Sequence, residues 1–127
     1  MSALKVLYVD DDTFIREVAE LALGLDSEMD VRIADSGTAA IALVSSGEFV
    51  PDVFLLDVMM PEMDGPQTLA ALRRLPGHAA TPAIFVTARA QAHEHTPLIE
   101  AGAQGVLTKP FDPISFAGEV RRLLAGG

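Results

Sequence analysis

Short apolar runs alternate along the chain with longer segments whose apolar residues recur at helical spacing. Leu4 to Val9 reads LKVLYV, rich in β-branched and aromatic residues, and stops at three aspartates. Asp12 to Leu25 places Phe14, Ile15, Val18, Leu21, Ala22 and Leu25 on a helical period and ends near Gly24. Val31 to Ala34 predicts a brief strand. Ser36 then caps a helix running to about Ser46, with Gly47 as its stop. Val53 to Leu56 is a continuous apolar run after Pro51, and a helix from about Gly65 to Leu75 is ended by Pro76-Gly77. Ala83 to Val86 and Gly105 to Thr108 are the fourth and fifth runs, and the last helix spans about Pro113 to Leu124.

The fourth helix carries Pro97, which inside a helix removes one hydrogen bond and costs ~3 kcal/mol. Thr96-Pro97 reads better as an N-cap followed by proline at the first helical position. The expectation is a short helix from about Pro97 to Ala101, closed by Gly102. Arg89 to His95 would then form a loop or a separate first turn.

Five strand-helix units imply an α/β fold with a parallel sheet covered by helices on both faces. Strands buried on both sides read as uniformly apolar, as VFLL and AIFV do. No repeat, low-complexity tract or long linker divides the chain, so residues 1–127 are read as one domain.

Composition narrows the function. The 127 residues include no Cys, which excludes a disulfide scaffold, a thiolate zinc site and a cysteine nucleophile. Nine basic against 18 acidic residues give a formal charge of −9, which argues against direct nucleic-acid binding through a basic face. Half the residues are apolar, too many for a disordered acidic tail. No apolar run approaches the ~18 residues of a membrane span, and the N-terminus lacks a basic-then-apolar secretion signal. A cytoplasmic protein without membrane insertion is expected.

The polar residues converge. In open parallel α/β sheets, ligands bind outside the carboxyl ends of the strands. The first run leads into Asp10, Asp11 and Asp12, the third ends in Asp57, the fourth in Thr87 and the fifth in Lys109. With strand order 2-1-3-4-5 these ends share one crevice. Two like charges ~4 Å apart repel by about 4 kcal/mol at an effective dielectric of 20, so such carboxylates need raised pKa values or a cation. A divalent hard cation with oxygen ligands, Mg²⁺ or Mn²⁺, answers that need, and Lys109 adds a second positive charge. Asp12 reads instead as a helix start, Thr87 alone is an ordinary strand residue, and Lys109-Pro110 alone is a turn. Their combination is what is specific.

Four motifs in order, VDDD (Val9 to Asp12), LLDVMMPEMDG (Leu55 to Gly65), VTA (Val86 to Ala88) and TKPF (Thr108 to Phe111), cover the chain. Together the sequence resembles the receiver domains of two-component response regulators. The resemblance implies a flavodoxin-like, doubly wound five-stranded sheet of order 2-1-3-4-5. It implies that Asp57 accepts a phosphoryl group from a phosphohistidine on a sensor histidine kinase or histidine phosphotransfer protein. Asp11 is then the direct metal ligand, Asp10 acts partly through water, and the Met59 backbone carbonyl is a further ligand. Thr87 resembles the hydroxyl that turns toward the acyl phosphate and Lys109 the residue that pairs with it, aimed inward by a cis bond to Pro110. The chain would be a phosphoacceptor that assists its own phosphorylation and dephosphorylation, not an enzyme. Its signal would pass to a downstream output protein through the face of the fourth helix, fifth strand and fifth helix, around Pro97 to Glu100, Val106 and Phe116 to Leu123. Homodimerisation on phosphorylation stays open.

Some positions depart from the family pattern or admit other readings. Val106 stands where many members carry an aromatic whose rotamer reports the state; Val is smaller and stiff at χ1. The readout is therefore expected to rest on movement of Ala88 to Pro97. Met59 and Arg89 flank the site and are expected to slow hydrolysis of the phosphoryl group. His93 and His95, two apart, do not share a helix face and read with Glu94 as an exposed polar loop, as His78 does beside Gly77. Arg73-Arg74 and Arg121-Arg122 read as helix faces. A Mg²⁺-dependent aspartate-nucleophile phosphatase is the rival reading, but it wants a second acid where Met59 stands. A flavin carrier would need a phosphate loop where three aspartates lie. The leading expectation is a stand-alone, chemotaxis-regulator-like receiver that relays phosphorylation to a separate partner protein. A receiver within a larger regulator or hybrid kinase is the second reading, since Ala125-Gly126-Gly127 could begin a linker.

Overall fold

A computed structural model describes residues 3–89 and 91–126 of the chain. Strands β1 (Leu4–Val9), β2 (Met29–Ala34), β3 (Val53–Asp57), β4 (Ala83–Thr87) and β5 (Gly105–Thr108) alternate with helices α1 (Thr13–Gly24), α2 (Gly37–Ser45), α3 (Gly65–Leu72), α4 (Ala92–Glu100) and α5 (Phe116–Leu124). The strands form one parallel sheet in the order β2-β1-β3-β4-β5, as expected.

Successive strand residues point to opposite faces, and both faces are dry. Val6 and Tyr8 of β1, Val53 and Leu55 of β3, and Ile84 and Val86 of β4 pack with Ala19, Leu23, Phe116 and Val120 of α1 and α5. Leu7 and Val9, Phe54 and Leu56, and Ala83 and Phe85 pack on the other side with Ala40, Val44, Leu69, Leu72 and Leu98 of α2, α3 and α4. Uniformly apolar strands are the consequence of two covered faces.

Helix starts follow the capping residues. Asp12 accepts the Ile15 N–H at 3.0 Å, so it caps α1 as read from the sequence. Ser36 accepts the Ala39 N–H at 3.0 Å. Asp64 and Gln67 form a reciprocal capping box at the start of α3. Each such cap stabilises its helix by ~1 kcal/mol. Outside the fourth helix, three boundaries differ from expectation by two residues or more. The β2 strand starts at Met29 rather than Val31. The α3 helix stops at Leu72 rather than near Leu75. The α5 helix starts at Phe116 rather than Pro113, because Asp112 accepts the Ile114 N–H at 2.9 Å and holds a local turn there instead.

The fourth helix departs further. It begins at Ala92, with Gln91 as N-cap, and runs through Pro97; Ala90 lies outside the described residues. The hydrogen bond Pro97 forgoes would have gone to the His93 carbonyl. His93 is exposed, and an unpaired helix carbonyl is tolerated on an exposed face far better than in a dry interior. The buried Leu98 anchors the helix, and the Ala101 N–H still reaches the Pro97 carbonyl at 2.9 Å. His93 and His95 are therefore helical, not loop residues.

Two further side chains differ from the sequence reading. His78 lies in a loop but is buried, its ring 5.5 Å from that of Phe54 and its Nδ1 2.9 Å from Thr81 Oγ1. Arg73 caps the end of α3 and donates to the carbonyls of Thr81 (3.1 Å) and Gly102 (3.0 Å), tying two loops rather than covering a helix face. Arg121 sits on α5 and pairs with Asp26 at 2.6 Å. Among the described residues no helix is long and apolar enough to cross a membrane.

Candidate functional site

The sheet register brings the strand ends together. Val9 pairs with Ala34 and Leu56, Asp57 with Val86, and Thr87 with Thr108. Asp10, Asp57, Thr87 and Lys109 consequently stand at one edge, around a cavity of about 250 Å³ that Asp11, Met59 and Arg89 also line.

Carboxylate oxygens of Asp10, Asp11 and Asp57 all lie within 4.8 Å of one another. Asp10 and Asp57 are buried, while Asp11 is exposed at the mouth. The Lys109 ammonium donates to Asp10 Oδ2 at 2.7 Å and to Asp57 Oδ1 at 3.0 Å. The Lys109-Pro110 peptide is cis. Asp10 is engaged on both oxygens: Oδ1 accepts the Asp12 N–H at 3.0 Å, and Oδ2 accepts the Tyr8 hydroxyl at 3.0 Å as well as Lys109. A fully buried carboxylate is tolerable only with such a set of donors.

Electrostatics follow from this crowding. Burial first, and then the charge of Asp10, push the Asp57 carboxyl up to about 6, against the opposing pull of Lys109. Burial tends to lower Lys109, but its hydrogen bonds and attraction to Asp10 and Asp57 outweigh that and hold it above the ordinary lysine value. Burial, reinforced by Asp10, drives the Tyr8 hydroxyl far above its usual range, so it stays a donor. The pocket retains excess negative charge, and its donors are hard oxygens. Both features fit a divalent cation such as Mg²⁺ or Mn²⁺.

Two backbone details shape the pocket. Gly65 begins α3 against the end of β3, where a Cβ would stand 2.6 Å from the Asp57 carbonyl oxygen and 3.0 Å from Phe85 Cε1. Only glycine permits that approach. On the other wall, Thr87 Oγ1 accepts the Arg89 N–H at 3.1 Å, and the Arg89 carbonyl lies 2.7 Å from His95 Nε2 on α4. The Arg89 guanidinium pairs with Glu94 at 3.3 Å. Asp10, Asp11, Asp57, Met59, Thr87 and Lys109, the site residues expected from the sequence, thus line the same pocket; Asp12 caps α1 at its edge.

Comparison with known proteins decides the family. The family model for the response regulator receiver domain matches residues 6–121. This chain is a response regulator receiver domain. The transcriptional regulatory protein CseB of Streptomyces avermitilis is 35% identical over 119 residues, covering 94% of this chain and 48% of that protein. The chemotaxis protein CheY4 of Vibrio cholerae is 32% identical with a TM-score of 0.84, covering 97% of this chain and 99% of that one. The receiver domain of the response regulator NarL from Mycobacterium tuberculosis is 32% identical with a TM-score of 0.83 over 100% of both chains. The receiver spans about half the length of the curated relatives it matches. Response regulators partner with histidine kinases, and receiver domains bind Mg²⁺ at an acidic pocket, so the Asp10, Asp11 and Asp57 cluster is where a metal could sit.

Within this receiver, one residue that supports the pocket from behind was not read as a site residue from the sequence. Tyr8 was legible only as a strand aromatic. The signal was its position two before Asp10, which puts both on one face of the strand. The expected output face also needs correction, since Phe116 and Val120 are buried against the sheet and cannot be part of an exposed surface.

Proposed function

We propose that Asp57 is the phosphoacceptor of this receiver, taking its phosphoryl group from a phosphohistidine of a sensor histidine kinase or histidine phosphotransfer protein. The observation that carries the reading is the Lys109 ammonium bridging Asp10 and Asp57 inside a three-carboxylate cluster. An Asp57 oxygen attacks phosphorus as the phosphorus–nitrogen bond breaks and the imidazole leaves. Such a transfer needs an in-line nucleophile and neutralisation of the equatorial oxygens. Asp57, with a carboxyl near 6, is mostly anionic at neutral pH and needs no general base. Lys109 neutralises charge from one side. Asp11, Asp57 and the Met59 backbone carbonyl would hold the metal directly and Asp10 through water; bound there, Mg²⁺ or Mn²⁺ supplies the remaining positive charge. Asp10 suits the water-mediated role because protein donors already engage both its oxygens.

The Thr87 hydroxyl, which accepts from the Arg89 N–H, would exchange that partner for a phosphoryl oxygen. The Arg89 backbone would then carry the change toward α4. The surface of α4, β5 and the exposed part of α5, including Pro97 to Glu100 and Val106, would present it to an output partner. The domain would assist its own phosphorylation and dephosphorylation without turning over a substrate.

A receiver belonging to a longer regulator is favoured by the length of its relatives. Several of those are named transcriptional regulatory proteins. The expectation of no nucleic-acid partner therefore applies only to this domain's own acidic surface, and an output that reaches DNA stays open. Intact mass after incubation with a small phosphodonor tests the reading: one phosphoryl adduct on the parent with Mg²⁺, none with chelator, and none on Asp57→Asn. An adduct on Asp57→Asn, or none on the parent, contradicts it.

A further inference from the structure

The strand core of β1 holds one polar side chain, the Tyr8 hydroxyl. Tyr8 is fully buried, and its neighbours on the same face are apolar side chains of β3, α1 and α5. A phenylalanine would fill that space with no polar atom to satisfy, whereas a buried phenol needs a partner. Its partner is Asp10, whose Oδ2 accepts the hydroxyl at 3.0 Å. Three donors hold the fully buried Asp10: the Asp12 N–H, Lys109 and Tyr8. Lys109 is shared with Asp57, and the Asp12 N–H sits at a loop entering α1. Tyr8 is the one donor committed to Asp10 from the rigid interior of the sheet.

The ring itself is clamped. It meets Phe116 edge to face at 6.4 Å, and Phe116 stacks on Phe111 at 3.9 Å and 9°. The hydroxyl therefore has little freedom to swing away from Asp10.

We propose that Tyr8 is a positioning residue of the metal site, fixing the Asp10 carboxylate from behind so that the acidic cluster is preorganised for a divalent cation. The inference rests on the reading of that cluster as a divalent-cation site. Groups that orient the ligands of a metal raise affinity without touching the ion.

Titration calorimetry with MgCl₂ alone, on the full chain and on Tyr8→Phe, tests it. Removing the hydroxyl is expected to weaken Mg²⁺ binding about tenfold, with the circular dichroism spectrum unchanged. A second readout does not depend on the variant folding. The chain has one Tyr and no Trp, so tyrosine emission comes from Tyr8 alone. It should change saturably with Mg²⁺, with the midpoint that calorimetry gives. Equal affinity in Tyr8→Phe, or emission that stays flat through saturation, overturns the proposal and leaves the phosphoacceptor reading standing. Absence of Mg²⁺ binding by the parent overturns both.

Discussion

Lys109 Nζ stands 3.0 Å from Asp57 Oδ1, although 52 positions separate the two residues. The parallel register, which ends β3 and β5 at the same edge, makes that contact. Lys109 is the cation holding the buried carboxylates together, so Lys109→Ala leaves them facing one another uncompensated. Urea unfolding of the metal-free variant should show a loss of roughly 3 kcal/mol. The Asp57 carboxyl, followed by carbon-13 NMR, should titrate above the parent's midpoint. A lower midpoint would contradict the pairing.

The pH dependence of stability carries a definite sign. The Asp57 carboxyl is pushed from 3.8 up to about 6 on folding, so between those values the folded state binds more protons than the unfolded one. This contribution is therefore fully present below about 4 and is lost as pH rises through about 6. Without metal, the parent should lose stability relative to Asp57→Asn across that window. The difference is on the order of 1 kcal/mol, allowing for solvent screening at the open mouth. A parent-to-variant difference that does not move with pH contradicts the raising of the Asp57 carboxyl by burial and by Asp10.

Met59 is 67% exposed at the rim of the pocket, and its apolar side chain is expected to hinder water at the acceptor. Hydrolysis of the phosphorylated domain should be slow and should accelerate several-fold in Met59→Ala. Loss of the phosphoryl adduct over time, read by intact mass, measures both rates. Equal rates contradict a shielding role.

The readout should lie in the segment from Ala88 to Pro97. Val106 cannot act as an aromatic rotamer switch, and the Arg89 backbone already links Thr87 Oγ1 to His95. Amide hydrogen exchange across this segment should differ with and without a phosphoryl mimic and Mg²⁺. Identical protection in both states contradicts the link.

The fold was legible wherever local chemistry and tertiary context agree. The bounds of β1 and β5 and the caps at Asp12 and Ser36 follow directly from strand composition and side-chain oxygen geometry. The α4 helix was not legible, because whether a helix runs through Pro97 depends on the burial of Leu98 and the exposure of His93, which are tertiary facts. His78 likewise read as a surface loop residue, since nothing local announces the Phe54 ring and the Thr81 hydroxyl that receive it. The gathering of Asp10, Asp57, Thr87 and Lys109 was legible because a parallel sheet of known order aligns its strand ends. What stayed hidden was the hydrogen bond behind Asp10: a tyrosine in an apolar strand reads as packing until its hydroxyl has a place in space.

The central claim is that a phosphoryl group lands on Asp57 and nowhere else. Borohydride reduction of the domain, after phosphorylation in Mg²⁺, converts an aspartyl phosphate to homoserine, and peptide mass spectrometry then locates it. The account predicts homoserine at position 57 alone, dependent on Mg²⁺. Homoserine at position 10 or 11, or an adduct that resists reduction and maps to a histidine, would contradict it.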